Sequence, residues 1–381
     1  MHAHNSHEHD EPESWVSQLG YAEDPETPLT ADTFPSKSGG RPAWMNPEHV
    51  LSAEQVTCGN CDQPMVLLVQ LYTPEDQPSE AFHRTVYVFC CKKGSCIKKD
   101  WTKSFKVFRS QLPRENPYWP PPGDESEDED AMDTDFTPKQ FKAPTLCVIC
   151  GLAGTKQCGR CHSTHYCSRA HQLADWNECK HKMFCGKTSD ESVDRLRKAQ
   201  VFGEKEIVSE AEGREVEKLE EEKYRKKIQE AGTVEEEEDD VEYDDAPVDS
   251  KVSVDDTFLQ FQLRLELNPD QVLRYDRVEY DMPDREPLWV QKDQKPSNIP
   301  ACEKCGGVRT FEFQILSTIL NFLAVSHTSE DSLDWGSLYV YTCKHNCALT
   351  DVFTPEYIWK QDFSADGMRL GGEAPPKKSS A

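Results

Sequence analysis

The chain has 381 residues and a formal net charge of -26, from 69 acidic against 43 basic side chains, and only 36% of it is hydrophobic. A chain of this length accommodates two or three small domains, and so low an apolar fraction leaves part of it without a core to join. The charge excludes a protein that grips nucleic acid by neutralising phosphates and selects a basic protein partner instead. The N-terminus, MHAHNSHEHDEPE, has no apolar stretch, and no run of about 18 apolar residues appears anywhere. Neither a signal peptide nor a membrane span is expected, which places the protein in the cytoplasm, the nucleus or both.

Residues 1–35 are polar, with four His in the first nine positions, and read as a disordered tail. SKSGGRPAWMNP (36–47) reads as an ordered loop, in which Gly39 and Gly40 permit a tight turn and Pro42 and Trp44 form a stiff anchor. It opens a β-rich segment (36–119) whose runs PMVLLVQLY and TVYVFCC are dense in β-branched and aromatic residues. An acidic linker (120–144) follows, where DESEDEDAMDTD carries eight acids in twelve positions; a cysteine cluster occupies 145–187. The segment 188–254 reads as a solvated charged helix running into EEEEDDVEYDD, nine acids in eleven positions. In 255–365, FLQFQLRLEL reads as an amphipathic helix to about Leu267, then a turn at Asn268-Pro269, a second short helix, and strands in FEFQIL, SLYVYTC and EYIWKQDF. Residues 366–381 read as a second tail.

A repeat links the two β-rich segments. Cys58-x2-Cys61, MVLLVQLY and VYVFCCKKGSC ending at Cys96 match Cys302-x2-Cys305, FEFQIL and LYVYTCKHNC ending at Cys347. Superposing Val86–Phe89 on Leu338–Tyr341 puts Cys91 over Cys343 and leaves Cys90 opposite Thr342. The expected fold is therefore mainly β with small α elements: a duplicated cysteine-containing β-module, interrupted by a zinc-stabilised finger and acidic disordered linkers.

Sixteen cysteines arranged largely in C-x2-C pairs belong to metal sites in a reducing compartment, not to a disulfide scaffold. The middle cluster reads Cys147-x2-Cys150, Cys158-x2-Cys161, Cys167-x3-His171, Asp175-Trp176 and His181-x3-Cys185. The tight C-x2-C knuckle points two sulfurs at one ion, and i, i+4 spacing sets two ligands on one helix face. Eight ligands make two closed tetrahedral Zn²⁺ sites with no position left for a substrate. Cys179 is a rival to His181, which is favoured with Cys185 on spacing. Cys58, Cys61, Cys91 and Cys96 can close a third site, and Cys302, Cys305, Cys343 and Cys347 a fourth; the alternative is that these eight are small thiols buried in β-layers. Cys90 reads as packing. The sequence has no G-x-S-x-G elbow, P-loop, H-E-x-x-H or glycine-rich cofactor turn, and His83 and Asp334 stand alone, so no enzyme and no catalytic residue is expected.

The middle cluster resembles the MYND finger, with His171 standing where most such fingers have Cys. The resemblance implies cross-bracing: Cys147, Cys150, Cys167 and His171 on one zinc, and Cys158, Cys161, His181 and Cys185 on the other. Beyond the finger, SKSGGRPAWM, VFRSQLPRENPYW, FLQFQLRLELNPDQVLRY, PLWV and EYIWKQDF, in this order around the Cys pairs, resemble the programmed cell death protein 2 family. That resemblance implies a dedicated chaperone that captures one newly made, basic small-subunit ribosomal protein and shuttles between cytoplasm and nucleus. It also implies an alternative, a nuclear adaptor whose finger grips a proline-containing peptide near Gln172 and Trp176 to recruit transcriptional corepressors or regulate cell death. For a chaperone, the expected client site is a groove between the β-halves or a free strand edge, where an extended peptide adds main-chain hydrogen bonds.

Overall fold

The computed structural model describes residues 16–121, 136–187, 191–213, 256–279, 282–325, 331–347 and 352–363, with positions 219, 222, 223, 226 and 329 besides. Both acidic tracts, the histidine-rich start and the residues beyond 363 lie outside the described residues. In chain order the strands are β1 (Gln18–Glu23), β2 (Lys37–Ser38), β3 (Val66–Tyr72), β4 (His83–Cys90), β5 (Phe105–Leu112), β6 (Lys156–Gln157), β7 (His165–Tyr166), β8 (Lys205–Ala211), β9 (Gln271–Tyr275), β10 (Arg309–Leu316), β11 (Ser337–Cys343) and β12 (Thr354–Gln361). The helices are α1 (Gly94–Asp100), α2 (Arg169–Asn177), α3 (His181–Phe184), α4 (Glu191–Lys198) and α5 (Asp256–Leu267).

Ten strands close into one antiparallel barrel in the order β1-β8-β2-β3-β4-β5-β12-β11-β10-β9, with β9 pairing back onto β1. Strands β3, β4, β10 and β11 are buried along nearly their whole length. One face looks into the barrel and the other is covered, so residues on both faces are withdrawn from water, polar ones such as Arg84, Glu312 and Gln314 among them. The mainly β reading of the sequence is correct, and the two β-rich segments are two halves of this single barrel.

The halves, β2–β5 and β9–β12, are antiparallel meanders that meet where β5 pairs with β12. The duplication reaches further than the cysteines. Both β3 and β10 carry a bulge at the same place, between Leu67 and Val69 and between Phe311 and Phe313. Past the bulges, Gln70 pairs with Tyr87 and Gln314 with Tyr339. In the first half the Ala43 N–H donates to Gln70 Oε1 at 2.9 Å, Gln70 Nε2 donates to the Ala43 carbonyl at 3.0 Å, and the Met45 N–H donates to Tyr87 Oη at 3.1 Å. In the second half Leu288 and Gln314 make the same two bonds at 2.9 and 3.2 Å, and the Val290 N–H donates to Tyr339 Oη at 3.1 Å. The tetrapeptides PAWM (42–45) and PLWV (287–290) are thus equivalent, each laying a Trp on a Tyr with ring centroids 5.1 and 4.7 Å apart. Such buried, fully reciprocal Gln–backbone pairs fix the register of a loop that has no ladder of its own.

Four expectations are corrected. Residues 18–23, placed in the disordered tail, form β1: Leu19 is buried and Gly20 lies against Ile207 and Leu273, where an added Cβ would come within 2.9 Å. Residues 205–211, placed in the charged linker, form β8, which closes the barrel with Ile207 as its single buried residue. The segment after Asn268-Pro269 is β9 and not a second short helix, because Val272, Leu273 and Arg274 are claimed by the gap between β1 and β10. The barrel is closed and has no terminal edge strand among those described, so a free edge for client binding is confined to stretches such as the seam where β5 and β12 pair only at Val107–Arg109 and Thr354–Glu356.

The interior is not uniformly apolar. Arg84 on β4 reaches across to Glu312, the bulged residue of β10, in a two-pronged pair at 2.5 and 2.7 Å, and both side chains are fully buried. Thr342 donates to Glu312 as well, and Arg277 donates to Thr342 at 2.8 Å. Glu356 on β12 takes Arg109 at 2.7 Å and Arg309 at 2.8 Å. With both oxygens of each carboxylate engaged, these buried charges are compensated where they stand.

Candidate metal centres

Four C-x2-C knuckles share one backbone design. The first Cys carbonyl accepts from the residue four positions on: Asp62 to Cys58 at 2.9 Å, Gly151 to Cys147 at 2.9 Å, His162 to Cys158 at 3.0 Å and Gly306 to Cys302 at 2.8 Å. That residue is left-handed each time, with φ of 56, 76, 54 and 71°. Two of the four are Gly, for which the conformation is free; Asp62 and His162 bear a cost that the fixed knuckle must offset. The fold thus turns each pair of thiols toward one point before any metal is considered.

Each knuckle gains its other two ligands from another element. The end of β4 and α1 bring Cys91 and Cys96 to Cys58 and Cys61; the end of β11 and its following turn bring Cys343 and Cys347 to Cys302 and Cys305. In the middle segment, Cys167, which lies between β7 and α2, and His171 of α2 join Cys147 and Cys150, while His181 of α3 and Cys185 join Cys158 and Cys161. Ser168 caps α2 by accepting the His171 N–H. In every set the four ligand atoms lie within 4.8 Å of one another.

The donor sets fit zinc. A tetrahedron with Zn–S bonds of about 2.3 Å has S···S edges of about 3.8 Å. The structure gives 3.8 Å for Cys61–Cys91, 3.5 Å for Cys150–Cys167, 3.8 Å for Cys158–Cys185, 3.7 Å for Cys302–Cys347 and 3.6 Å for Cys305–Cys343. Cys147 and Cys161 lie 3.6 and 3.7 Å from the imidazole nitrogens His171 Nδ1 and His181 Nε2. None of the sixteen cysteines is in a disulfide, whose sulfurs would stand about 2.05 Å apart. The thiols are also unequal. Hydrogen bonds from Cys150 and then Cys167 hold Cys147 far below the usual thiol range, whereas burial pushes Cys150 well above it. Such a cluster cannot ionise completely without a cation to share, which is the electrostatic demand a divalent ion meets.

The remaining two cysteines fall outside all four sets. Cys90 is buried, donates to the Cys91 carbonyl at 3.2 Å, and is held protonated by its burial. Cys179 is likewise buried, its thiol pushed up to about 11 by desolvation, and His181 stands in the ligand position it rivalled. Asp175, the acid of the D-W pair, was not singled out as a functional residue in the sequence. It is fully buried and accepts from Tyr166 Oη at 2.7 Å and from Arg197 Nε and Nη2 at 2.7 and 3.0 Å. Its Oδ2 is 3.7 Å from His181 Nδ1, the nitrogen that faces away from the sulfurs. The carboxylate thereby lies beside an imidazole ligand and, through Arg197, holds α4 on the finger.

The finger is seated on the barrel and not hung from it. Trp44 Nε1 donates to the Gly151 carbonyl at 2.8 Å, Arg41 Nε to the Ile149 carbonyl at 3.2 Å, and the Ala153 N–H to the Leu51 carbonyl at 2.9 Å. One contiguous apolar core runs through Trp44, Leu51 and Phe89 of the barrel side to Ile149 and Leu152 of the finger. The two equivalent tryptophans should therefore respond differently to mutation. Trp44→Phe breaks a buried bond into the finger, while Trp289→Phe loses a 3.3 Å bond to a side chain, Glu286, on the surface. Urea denaturation is expected to show Trp44→Phe costing about 1 kcal/mol more than Trp289→Phe.

The geometry accords with what known proteins show. Residues 16–126 match the N-terminal domain of programmed cell death protein 2, residues 255–362 match its C-terminal domain, and residues 147–185 match the MYND finger. Programmed cell death protein 2 of Mus musculus is 36% identical over 353 residues, covering 91% of this chain and 96% of the relative; that of Bos taurus is 35% identical over 356 residues, covering 91% and 97%. This chain belongs to the programmed cell death protein 2 family. Programmed cell death protein 2-like of Homo sapiens is more distant, at 25% identity over 352 residues, covering 84% of this chain and 87% of that one. No solved structure matches the chain. The N-terminal family domain starts at residue 16, just before β1, so the strand that the sequence reading assigned to a tail is part of the family's own unit. Family and finger together point to a metal-binding, non-catalytic protein.

Proposed function

We propose that the protein is a zinc-built carrier that captures a newly made, basic small-subunit ribosomal protein and escorts it into ribosome assembly, moving between cytoplasm and nucleus. The observation that carries this reading is the charge: -26 overall, with the two densest acidic tracts placed between folded parts. An anionic chain of this kind screens a cationic client that lacks its RNA and speeds its encounter, while a folded surface supplies the specificity. The metal supports structure only. Each of the four ligand sets is complete, so a bound zinc keeps no open position for substrate, and the reading takes four zinc ions per chain: two in the finger and one in each half of the barrel.

The second reading, a nuclear adaptor, draws on one surface of the finger. A cleft of 300 Å³ lies beside Arg169, Gln172, Leu173 and Trp176, and Leu173 is an exposed large apolar residue on it. Affinity capture of the protein on translating ribosomes separates the two. The carrier reading expects enrichment of the message of one basic small-subunit protein, unchanged by Leu173→Glu, a surface change preferred to deletion because the finger shares the barrel's core. Capture of chromatin proteins that disappears with Leu173→Glu would replace it with the adaptor. Metal analysis giving two zinc ions per chain would confine zinc to the finger.

A further inference from the structure

The duplication makes the two ends of the barrel comparable, and they are finished differently. At one end the knuckle 91–96 is covered by the described part of the connection between β10 and β11, residues 317–325 and 331–336, from the other half. The Gly94 N–H donates to the Asp331 carbonyl at 3.0 Å, the Ser95 N–H to the Asp331 carboxylate at 2.7 Å, and a Cβ on Gly94 would meet the Ser332 carbonyl at 1.9 Å. Behind this contact Ile319, Leu323, Leu333 and Trp335 are buried, with Trp335 6.0 Å from Phe105, so the connection stoppers the barrel.

At the other end the equivalent connection, 73–82, is half as long. It touches the matching knuckle, 343–347, through Asn346 Nδ2, which donates to the Gln77 carbonyl at 3.3 Å, and through Arg277, which donates to Glu75 and to Asn346 Oδ1. Between the short connection and the knuckle the described residues leave a cleft of 1170 Å³. Where one half supplies its own chain as a cover, the other leaves room for a chain from elsewhere.

The charges on the cleft set the occupant's chemistry. Its two cations are already engaged: Arg277 is buried, pairs with Glu75 and lies 3.7 Å from Glu312, and Lys344 pairs with Asp284 at 2.8 Å. Its two exposed carboxylates, Asp76 and Glu279, have no ion-pair partner among the described residues. We propose that this cleft receives an extended basic segment of a partner protein, laid between loop 73–78 and the 343–347 knuckle with a lysine or arginine between Asp76 and Glu279. The inference rests on the carrier reading for the identity of the partner, whereas the cleft's preference for a cationic chain is tested without it.

The test uses the full chain loaded with zinc and a short fluorescent peptide that alternates lysine with serine, followed by anisotropy. Asp76→Lys/Glu279→Lys is expected to weaken binding at least about tenfold. The charge-matched control Glu23→Lys/Glu26→Lys, on exposed positions of and after β1, is expected to change it less than about twofold. If the reversal variant does not fold, Asp76→Asn/Glu279→Gln serves, with a loss of about fivefold expected. Equal loss in variant and control, or no loss in the variant, overturns the cleft site. The ribosome capture described above decides the carrier reading separately: a wild-type protein that captures its client and a cleft variant that captures it as well sinks the cleft and leaves the carrier standing.

Discussion

Replacing Cys150 with Ser is expected to release zinc from the finger, to unfold residues 147–185, and to lower the melting temperature of the barrel at the same time. The local effect follows from the size of the metal contribution, on the order of 10 kcal/mol for a structural site, which a segment of 39 residues with so small a core of its own cannot replace. The distal effect follows from the seat. Gly151, the left-handed residue that closes the Cys147 knuckle, presents its carbonyl to Trp44, and Trp44 rests on Tyr87 of β4. When the knuckle opens, Trp44 loses its partner and the apolar surface of Leu51 and Phe89 loses its cover. Metal analysis and calorimetry on one sample read both. A barrel that melts unchanged after the finger has lost its zinc would show the shared core to be energetically idle. Cys90→Ser, by contrast, removes no ligand and leaves a hydroxyl able to keep the bond to the Cys91 carbonyl, and is expected to leave the zinc content unchanged.

The sequence disclosed the ligand sets because zinc chemistry leaves so few degrees of freedom: fixed spacing, a fixed ligand count and a tight turn. All four groups assembled in space are among those named from the sequence, the two in the finger from the cross-bracing that the MYND resemblance implies and the two in the barrel from the repeat. Strands buried on both faces, such as VLLVQLY, were equally legible. What stayed hidden was whatever is decided by tertiary fit. Strand β8, KEIVSEA, buries Ile207 alone and reads as a charged linker because its outer face meets water. Strand β1 reads as tail because its contribution is the absence of a side chain at Gly20 as much as the presence of Leu19. PAWM was visible as part of an ordered loop and PLWV as a motif of the family resemblance, but their equivalence rests on Gln70 and Gln314, polar residues that no periodicity marks as structural. Asp175 was hidden for a related reason: a buried carboxylate is meaningful only once Tyr166, Arg197 and His181 are seen around it.

The charged lumen supplies the second large effect. Glu312→Leu is expected to destabilise the barrel by about 3–5 kcal/mol, because it leaves the Arg84 guanidinium buried with its carboxylate gone. Arg84→Met in the same chain should recover most of that loss, since two apolar residues of similar volume remove the desolvation penalty together with the attraction. Denaturant titration of the two single variants and the double variant measures the coupling directly. The same pair fixes the acid limit. Burial alone would raise the Glu312 carboxyl, but Arg84 and then Arg277 outweigh it and hold it down to about 2. A carboxylate depressed on folding stabilises the native state above its unfolded value of 4.5, and that stability is lost as the pH falls from there through about 2. Wild-type stability should therefore decline across that window, and the decline should be shallower in Arg84→Met/Glu312→Leu, which has no proton to take up at this position. An identical acid profile in wild type and double variant would assign the decline to other carboxylates.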